Sequence, residues 1–259
     1  MSIERGTARP PHVRETFDPG VPALVHPGWA ESFSWLVQGT TTRGAPGREL
    51  DLGLFSGGSP EAVVHRNWGR LLALGGMAAA VHARQLHEAE VRFHADVRSG
   101  LRLAEPCDGH ATDQPGVLLT VSVADCVPVF VVAPGARAVA ALHAGWRGTV
   151  AGVLERGLLV LEERTGEAAR ELHVHLGPSI CGSCYEVGLE VFAALDQPVP
   201  RAPRPIDLRG VLAARAVAAG VDASRLSVST HCTRCTRSGL FSHRGGDRGR
   251  QVGYIGVRP

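Results

Sequence analysis

The stretch Val117–Ala133, VLLTVSVADCVPVFVVA, decides the fold. It holds two runs rich in valine and leucine, residues 117–124 and 127–133, and each reads as a strand. Asp125 and Pro128 interrupt the apolar run, so it cannot be a membrane span. Pro134-Gly135 marks a turn, and Arg137–His143 reads as a third strand. Thr149 is the expected N-cap of the next helix. In that helix Val150, Val153, Leu154, Leu158 and Leu161 recur at helical spacing, and Gly166 ends the run.

Working outward, Ser59 as N-cap and Pro60 in the first turn predict a helix running to Gly75-Gly76. Residues 171–176 alternate as a short strand. Asp207 caps a helix with Leu208, Val211 and Leu212 inside and Gly220 at its end. Strands are expected over 225–230 and 251–257. The alternation gives a mixed α/β class. Residues 1–22 are rich in proline, arginine and glycine and read as a poorly ordered extension, leaving 23–259 as a single domain.

Of 259 residues, 44% are apolar and only 5% aromatic, so the core must be largely aliphatic. The net charge of +2 comes from interspersed residues, which argues against nucleic acid as a partner. The chain has no lysine. A Schiff-base lysine, a phosphate-loop lysine and a Ser–Lys pair are thereby excluded. No signal-peptide pattern opens the chain, so a cytoplasmic location with no membrane partner is expected. Six cysteines in a chain this long do not suggest a disulfide scaffold.

Three residues could form a metal site. His87 lies in Gln85-Leu86-His87, Cys126 follows a buried strand, and His143 closes another. Strand ends of consecutive elements can meet at one sheet edge, where α/β folds place their sites. Two imidazoles and a thiolate suit zinc and leave a fourth position open. The plainer alternative is a set of ordinary hydrogen-bonded histidines and a cysteine acting as a small hydrophobe. Arg147, between Gly145 and Gly148 and ahead of a helix, suits an anion or phosphate; an ordinary strand-to-helix turn is the competing reading. Two CxxC pairs, Cys181/Cys184 and Cys232/Cys235, invite a structural zinc site. Their separation exceeds what a compact zinc ribbon needs, so buried or surface thiols are preferred, with a redox disulfide within one pair a further option. The arginine- and glycine-rich run 241–250 reads as an anion-binding segment or a solvated loop.

Taken together, several motifs resemble one family: Gln85-Leu86-His87, Asp108 with Thr112, the segment 124–128, His143-Ala144-Gly145-Trp146-Arg147-Gly148, the segments 177–180 and 185–188, Cys232-Thr233, and Phe241-Ser242 with Arg244, Gly249 and Arg250. The family was once labelled multicopper polyphenol oxidase or laccase-domain proteins. Its members are now regarded as purine nucleoside phosphorylases with adenosine deaminase activity. The resemblance covers about residues 35–257.

It implies a four-layer αββα sandwich with mixed sheets, similar to the cytotoxic-necrotizing-factor-like cysteine hydrolase fold. It places catalysis and the metal on His87, Cys126 and His143, with zinc favoured over copper. It implies purine nucleosides (adenosine, inosine, guanosine, methylthioadenosine) and inorganic phosphate as partners, in a monomer or small homo-oligomer. Arg43, Arg147, Arg244 and Arg250 are the candidates for phosphate. Glu88, Asp51 and the single arginine of His243-Arg244-Gly245 depart from the usual pattern, as does the lack of a Gly-Gly-Val-Ser stretch after Arg43; these changes bear on base preference and phosphate affinity. Rival readings are a copper laccase, a cysteine hydrolase with Cys126 as nucleophile and His143 as base, and a non-enzymatic binding protein. Multicopper chemistry needs many clustered histidines, whereas this chain has one His-x-His, at His173 and His175.

Overall fold

A computed structural model describes residues 10–45, 47–235 and 239–259. In chain order the sheet-forming strands open with β1 (His12–Val13), β2 (Thr16–Asp18), β3 (Ala23–Val25), β4 (Leu36–Thr41), β5 (Ala79–Ala83), β6 (Val91–Phe93) and β7 (Gly100–Ala104). They continue with β8 (Gly109–Thr112), β9 (Val117–Val123), β10 (Val127–Ala133), β11 (Ala138–Ala144), β12 (His173–Leu176), β13 (Leu226–Ser229) and β14 (Gln251–Val257). Among the described residues these build two seven-stranded sheets, ordered β1-β13-β12-β10-β11-β8-β6 and β2-β3-β4-β14-β9-β5-β7. Both are mixed: β10 pairs antiparallel with β11 and β12, while β12 and β13 run parallel. In the other sheet β9 pairs antiparallel with β14 and parallel with β5.

Period-two alternation sorts the side chains into three cores. Phe130, Val132, Val139 and Ala141 of one sheet meet Leu119, Val121, Val123 and Ile255 of the other. The opposite face of the first sheet, with Val129, Val131, Ala140 and Leu142, packs on Leu154, Leu158 and Leu161 of helix Val153–Thr165 and on Leu212 of helix Leu208–Ala218. The opposite face of the second, with Leu118, Val252 and Tyr254, packs on Val64, Trp68 and Leu71 of helix Glu61–Gly75. The result is four layers, helix, sheet, sheet and helix. Because β9, β10 and β11 are covered on both faces, their sequences are apolar almost throughout.

Several local expectations shift. The helix expected after Thr149 begins earlier, at Trp146, with Gly145 as its N-cap. It breaks at Gly152, whose backbone is left-handed at φ 89°, and resumes at Val153. Thr149 lies inside this first turn, where its hydroxyl donates to the Gly145 carbonyl at 2.9 Å. A threonine hydroxyl can serve either position, so local sequence did not separate them. Gly76 and Gly166 end their helices in the left-handed region as glycines should.

Residues 1–9 of the expected extension lie outside the described residues. Residues 12–18, by contrast, are built into the sheets: β1 runs parallel to β13 and β2 pairs with β3. Between them Glu15 is buried, its carboxylate 3.0 Å from His175 Nε2 and 2.8 Å from the Ser229 hydroxyl. The strand that pairs with β1 and the partners of Glu15 stand more than 150 residues away, so local composition could not show them. No helix among the described residues is long and apolar enough to cross a membrane.

Candidate active site

The segment Ala124-Asp125-Cys126 carries the chain from β9 in one sheet to β10 in the other. Its crossing needs a sharp turn, and Asp125 takes φ 91°, outside the usual range for a side-chain-bearing residue. That conformation is held by its own surroundings. The Asp125 carboxylate accepts from the Thr233 and Ser242 hydroxyls and the Arg244 N–H, and its carbonyl accepts from the Ile180 N–H. Cys126 is thereby fixed at the start of β10, beside the end of β11, where Pro128 pairs with His143. His143 shares the strand face of Val139 and Ala141, so it emerges at the edge of the inter-sheet core.

His87 arrives on a loop, in the left-handed conformation with φ 62°. One fully buried carboxylate, Asp108, organises that loop. Its oxygens accept the N–H groups of Leu86, His87 and Glu88 at 3.0, 2.9 and 2.9 Å, and that of His143 Nδ1 at 2.9 Å. A carboxylate only accepts, so His143 carries its proton on Nδ1 and turns Nε2 toward the site. The donor atoms of His87, Cys126 and His143 all lie within 4.8 Å of one another. Gly145 makes this convergence possible. A Cβ there would stand 3.1 Å from Cys126 Sγ and 3.2 Å from the His87 ring.

The electrostatics favour an ionised sulfur. Burial would raise the Cys126 thiol, but the charge and hydrogen bond of His143, with a hydrogen bond from His87, outweigh it and bring the pKa to about 6. Burial would lower His143, but the Cys126 thiolate and Asp108 draw it up to about 9. A thiolate and two imidazoles, one of them oriented by a carboxylate, form a donor set that fits a zinc ion and leaves room for one further ligand. Two imidazoles and one sulfur do not extend to several coppers. Among the described residues one other group of three or more metal-capable side chains converges, and it consists of cysteines alone.

These residues floor a cleft of about 400 Å³ whose walls include Phe55, Ser56, Arg84, Gln85, Ser122, His243 and Arg250. Gln85 is locked to Ser122 by a pair of hydrogen bonds, 2.9 and 2.8 Å. Of the four arginines expected to meet phosphate, the structure brings Arg250 to the cleft. Its backbone N–H donates to Asp51 at 2.9 Å, and Asp51 also accepts the N–H groups of Gly53 and Ser59. The other three point elsewhere. Arg43 is paired with Asp247 at 2.7 Å and lies over the Phe241 ring. Arg147 is exposed and lies over Trp146, and Arg244 donates to the Glu186 carbonyl and lies over Tyr185. Arg84, Phe55 and Ser122 reach the cleft without having been singled out by sequence, and His243 reaches it from the run 241–250. For Arg84 the signal was adjacency to Gln85-Leu86-His87; for Phe55 and Ser122 there was none.

The two CxxC pairs depart from the expectation of separate thiols. The sulfurs of Cys181, Cys184, Cys232 and Cys235 also lie within 4.8 Å of one another, outside the cleft.

A family described as "Multi-copper polyphenol oxidoreductase laccase" matches residues 37–258. The chain is 34% identical to the purine nucleoside phosphorylase YlmD of Geobacillus stearothermophilus, over 89% of this chain and 95% of that protein. It is 39% identical to the adenosine deaminase RL5 of an unknown prokaryotic organism, over 63% of this chain and 69% of that one. The crystal structure of the Geobacillus YlmD superposes with a TM-score of 0.80 at 30% identity, covering 88% of this chain and 93% of that one.

Proposed function

The chain belongs to the family described as multi-copper polyphenol oxidoreductase laccase, and from that membership we propose that it is a zinc-dependent purine nucleoside phosphorylase that also deaminates adenosine. The observation that carries this reading is the convergence of His87, Cys126 and His143 on the floor of the cleft that Arg250 and Arg84 line. Adenosine, inosine, guanosine and methylthioadenosine are the proposed nucleosides.

A zinc ion held by His87, Cys126 and His143 would supply a Lewis acid at the cleft floor. The remaining work falls to side chains. Asp108 keeps His143 in one tautomer and one orientation. Phe55, 55% exposed at the cleft wall, offers a ring face on which a purine can stack. Arg250 and Arg84 offer the planar, forked cations that suit phosphate in a chain without lysine. In phosphorolysis a phosphate oxygen bonds to the sugar C1′ as the bond to the base nitrogen breaks, and the base leaves with that electron pair and gains a proton. In deamination water adds at the purine carbon bearing the amino group, and ammonia departs. His243, on the cleft wall, is the proposed proton carrier in either reaction.

The test is a phosphate titration that follows ribose 1-phosphate, free base and inosine separately. Arg250→Ala should raise the phosphate requirement by roughly 10- to 150-fold, the worth of a lost charge-assisted bond of about 1.5–3 kcal/mol. Adenosine deamination, which consumes water, should change much less. Free base released equally fast without phosphate would mean a nucleoside hydrolase and sink the reading.

One observation favours a second reading. Cys126, His143 and Asp108 also stand in the order nucleophile, base and orienting carboxylate of a cysteine hydrolase. Activity that survives complete removal of metal but not alkylation of Cys126 would select it.

A further inference from the structure

The second cysteine cluster is built by two loops that the sequence separates by about fifty residues. Cys181-Gly182-Ser183-Cys184 closes a turn in which the Cys184 and Tyr185 N–H groups donate to the Cys181 carbonyl at 3.0 and 3.1 Å. Cys232-Thr233-Arg234-Cys235 meets it edge to edge. Ser179 and Cys232 form a parallel bridge, and the Thr233 N–H donates to the Ser179 carbonyl at 3.1 Å. From the other side Arg234 Nη1 donates to the Cys184 carbonyl at 3.2 Å. All four sulfurs therefore face one point, within 4.8 Å of each other, and Cys181 Sγ and Cys235 Sγ are 3.8 Å apart. A tetrahedron of zinc–sulfur bonds of about 2.3 Å has edges of about 3.8 Å.

The backbone is also arranged for sulfur that carries negative charge. The N–H groups of Cys181, Arg234 and Cys235 point at Cys232 Sγ, at 3.3, 3.4 and 3.5 Å. Amide donors around a thiolate are the usual outer shell of a cysteine metal site. Exposure is graded across the cluster, from buried Cys232 to exposed Cys235, so an ion can enter from the rim.

We propose that Cys181, Cys184, Cys232 and Cys235 bind one zinc ion in a structural site separate from the cleft. Four protein ligands leave no open position, so this ion binds no substrate. Its place in the fold explains its use. Ile180, next to Cys181, donates to the Asp125 carbonyl, and Thr233, between Cys232 and Cys235, donates to the Asp125 carboxylate. An ion that clamps the two loops also clamps two of the partners of Asp125, the residue that turns the chain into Cys126. The inference stands whatever reaction the cleft performs.

Metal content of protein prepared under reducing conditions without added metal provides the test. The wild-type chain should carry two zinc ions. Cys126→Ser/His143→Ala, which removes two ligands of the cleft site, should keep one, and X-ray absorption on it should show four sulfur ligands at about 2.3 Å. Cys181→Ser/Cys235→Ser should drop from two ions to one. If that variant does not fold, Cys235→Ser alone, with a sulfur shell reduced from four to three, gives the same answer. A Cys126→Ser/His143→Ala protein that binds no metal, or whose ion has nitrogen or oxygen ligands, would overturn the proposal. So would mass spectrometry that finds these cysteines joined in disulfides in the reduced preparation.

Discussion

At the scale of single residues, Asp108 does the most positioning for its size. It has no exposure to solvent and accepts four N–H groups, three from the His87 loop and one from the His143 ring. Asp108→Asn would place an amide where at least one donor now points, and would free His143 to shift its proton to the atom needed for a ligand. Zinc affinity should fall by about 10- to 100-fold, the usual effect of removing a carboxylate behind a ligating histidine. Competition with a chelator of known affinity measures it; unchanged affinity would show that Asp108 merely fills space. His87, Cys126 and His143 were candidates in the sequence because histidine and cysteine are chemically conspicuous and the matched motifs contain them; the structure brings their donor atoms together. Asp108 was legible only as part of a matched motif. The arginines expected to meet phosphate were poorly legible: motif membership does not tell which way a long side chain points, Arg43, Arg147 and Arg244 each have a competing partner, and Arg250 Nη1, though at the cleft, donates to the Arg248 and Gly249 carbonyls.

At the scale of elements, β9, β10 and β11 were readable because burial on both faces leaves few polar positions to blur them. What could not be read is that β9 and β10, joined by only Ala124-Asp125-Cys126, belong to different sheets. Helix Val153–Thr165 fills its layer with Leu154, Leu158 and Leu161, all nearly or fully buried. Leu161→Ala should cost about 2–5 kcal/mol in denaturant unfolding through the cavity it leaves. Metal content and turnover of the folded variant should stay at wild-type levels, because this core lies on the far side of β11 from His143. A matching loss of metal would show that helix packing controls the site directly.

At the scale of the molecule, the N-terminal segment ties the two sheets together, since β1 joins one and β2 the other. Glu15 lies between them, against His175 and Ser229. Burial alone would raise its pKa, but the hydrogen bond and charge of His175 and the Ser229 hydroxyl hold it below the ordinary value of 4.5. The unfolded chain therefore binds the proton more readily. The stabilisation is complete above pH 4.5 and is lost as the pH falls through the lower, folded value. Glu15→Gln should flatten the acid limb of the melting temperature against pH. Glu15→Ala should cost about 3–5 kcal/mol near neutrality, as expected when one partner of a buried pair is removed. An acid limb as steep in Glu15→Gln as in the wild type would assign the pH dependence to other groups.

The sequence by itself determined the class of the fold, the main strands and helices, His87, Cys126 and His143 as candidates for one site and, through its motifs, the family. These follow from periodicity, turn residues and conspicuous side chains, all of which are local. Tertiary structure alone decided that β9 and β10 split between sheets, that residues 12–18 join them, that Arg250 and Arg84 line the cleft, and that four distant cysteines share one point. Each of these depends on which surfaces the two sheets bury against one another. That is settled by contacts between residues far apart in the chain, and no local window of sequence contains both sides of such a contact.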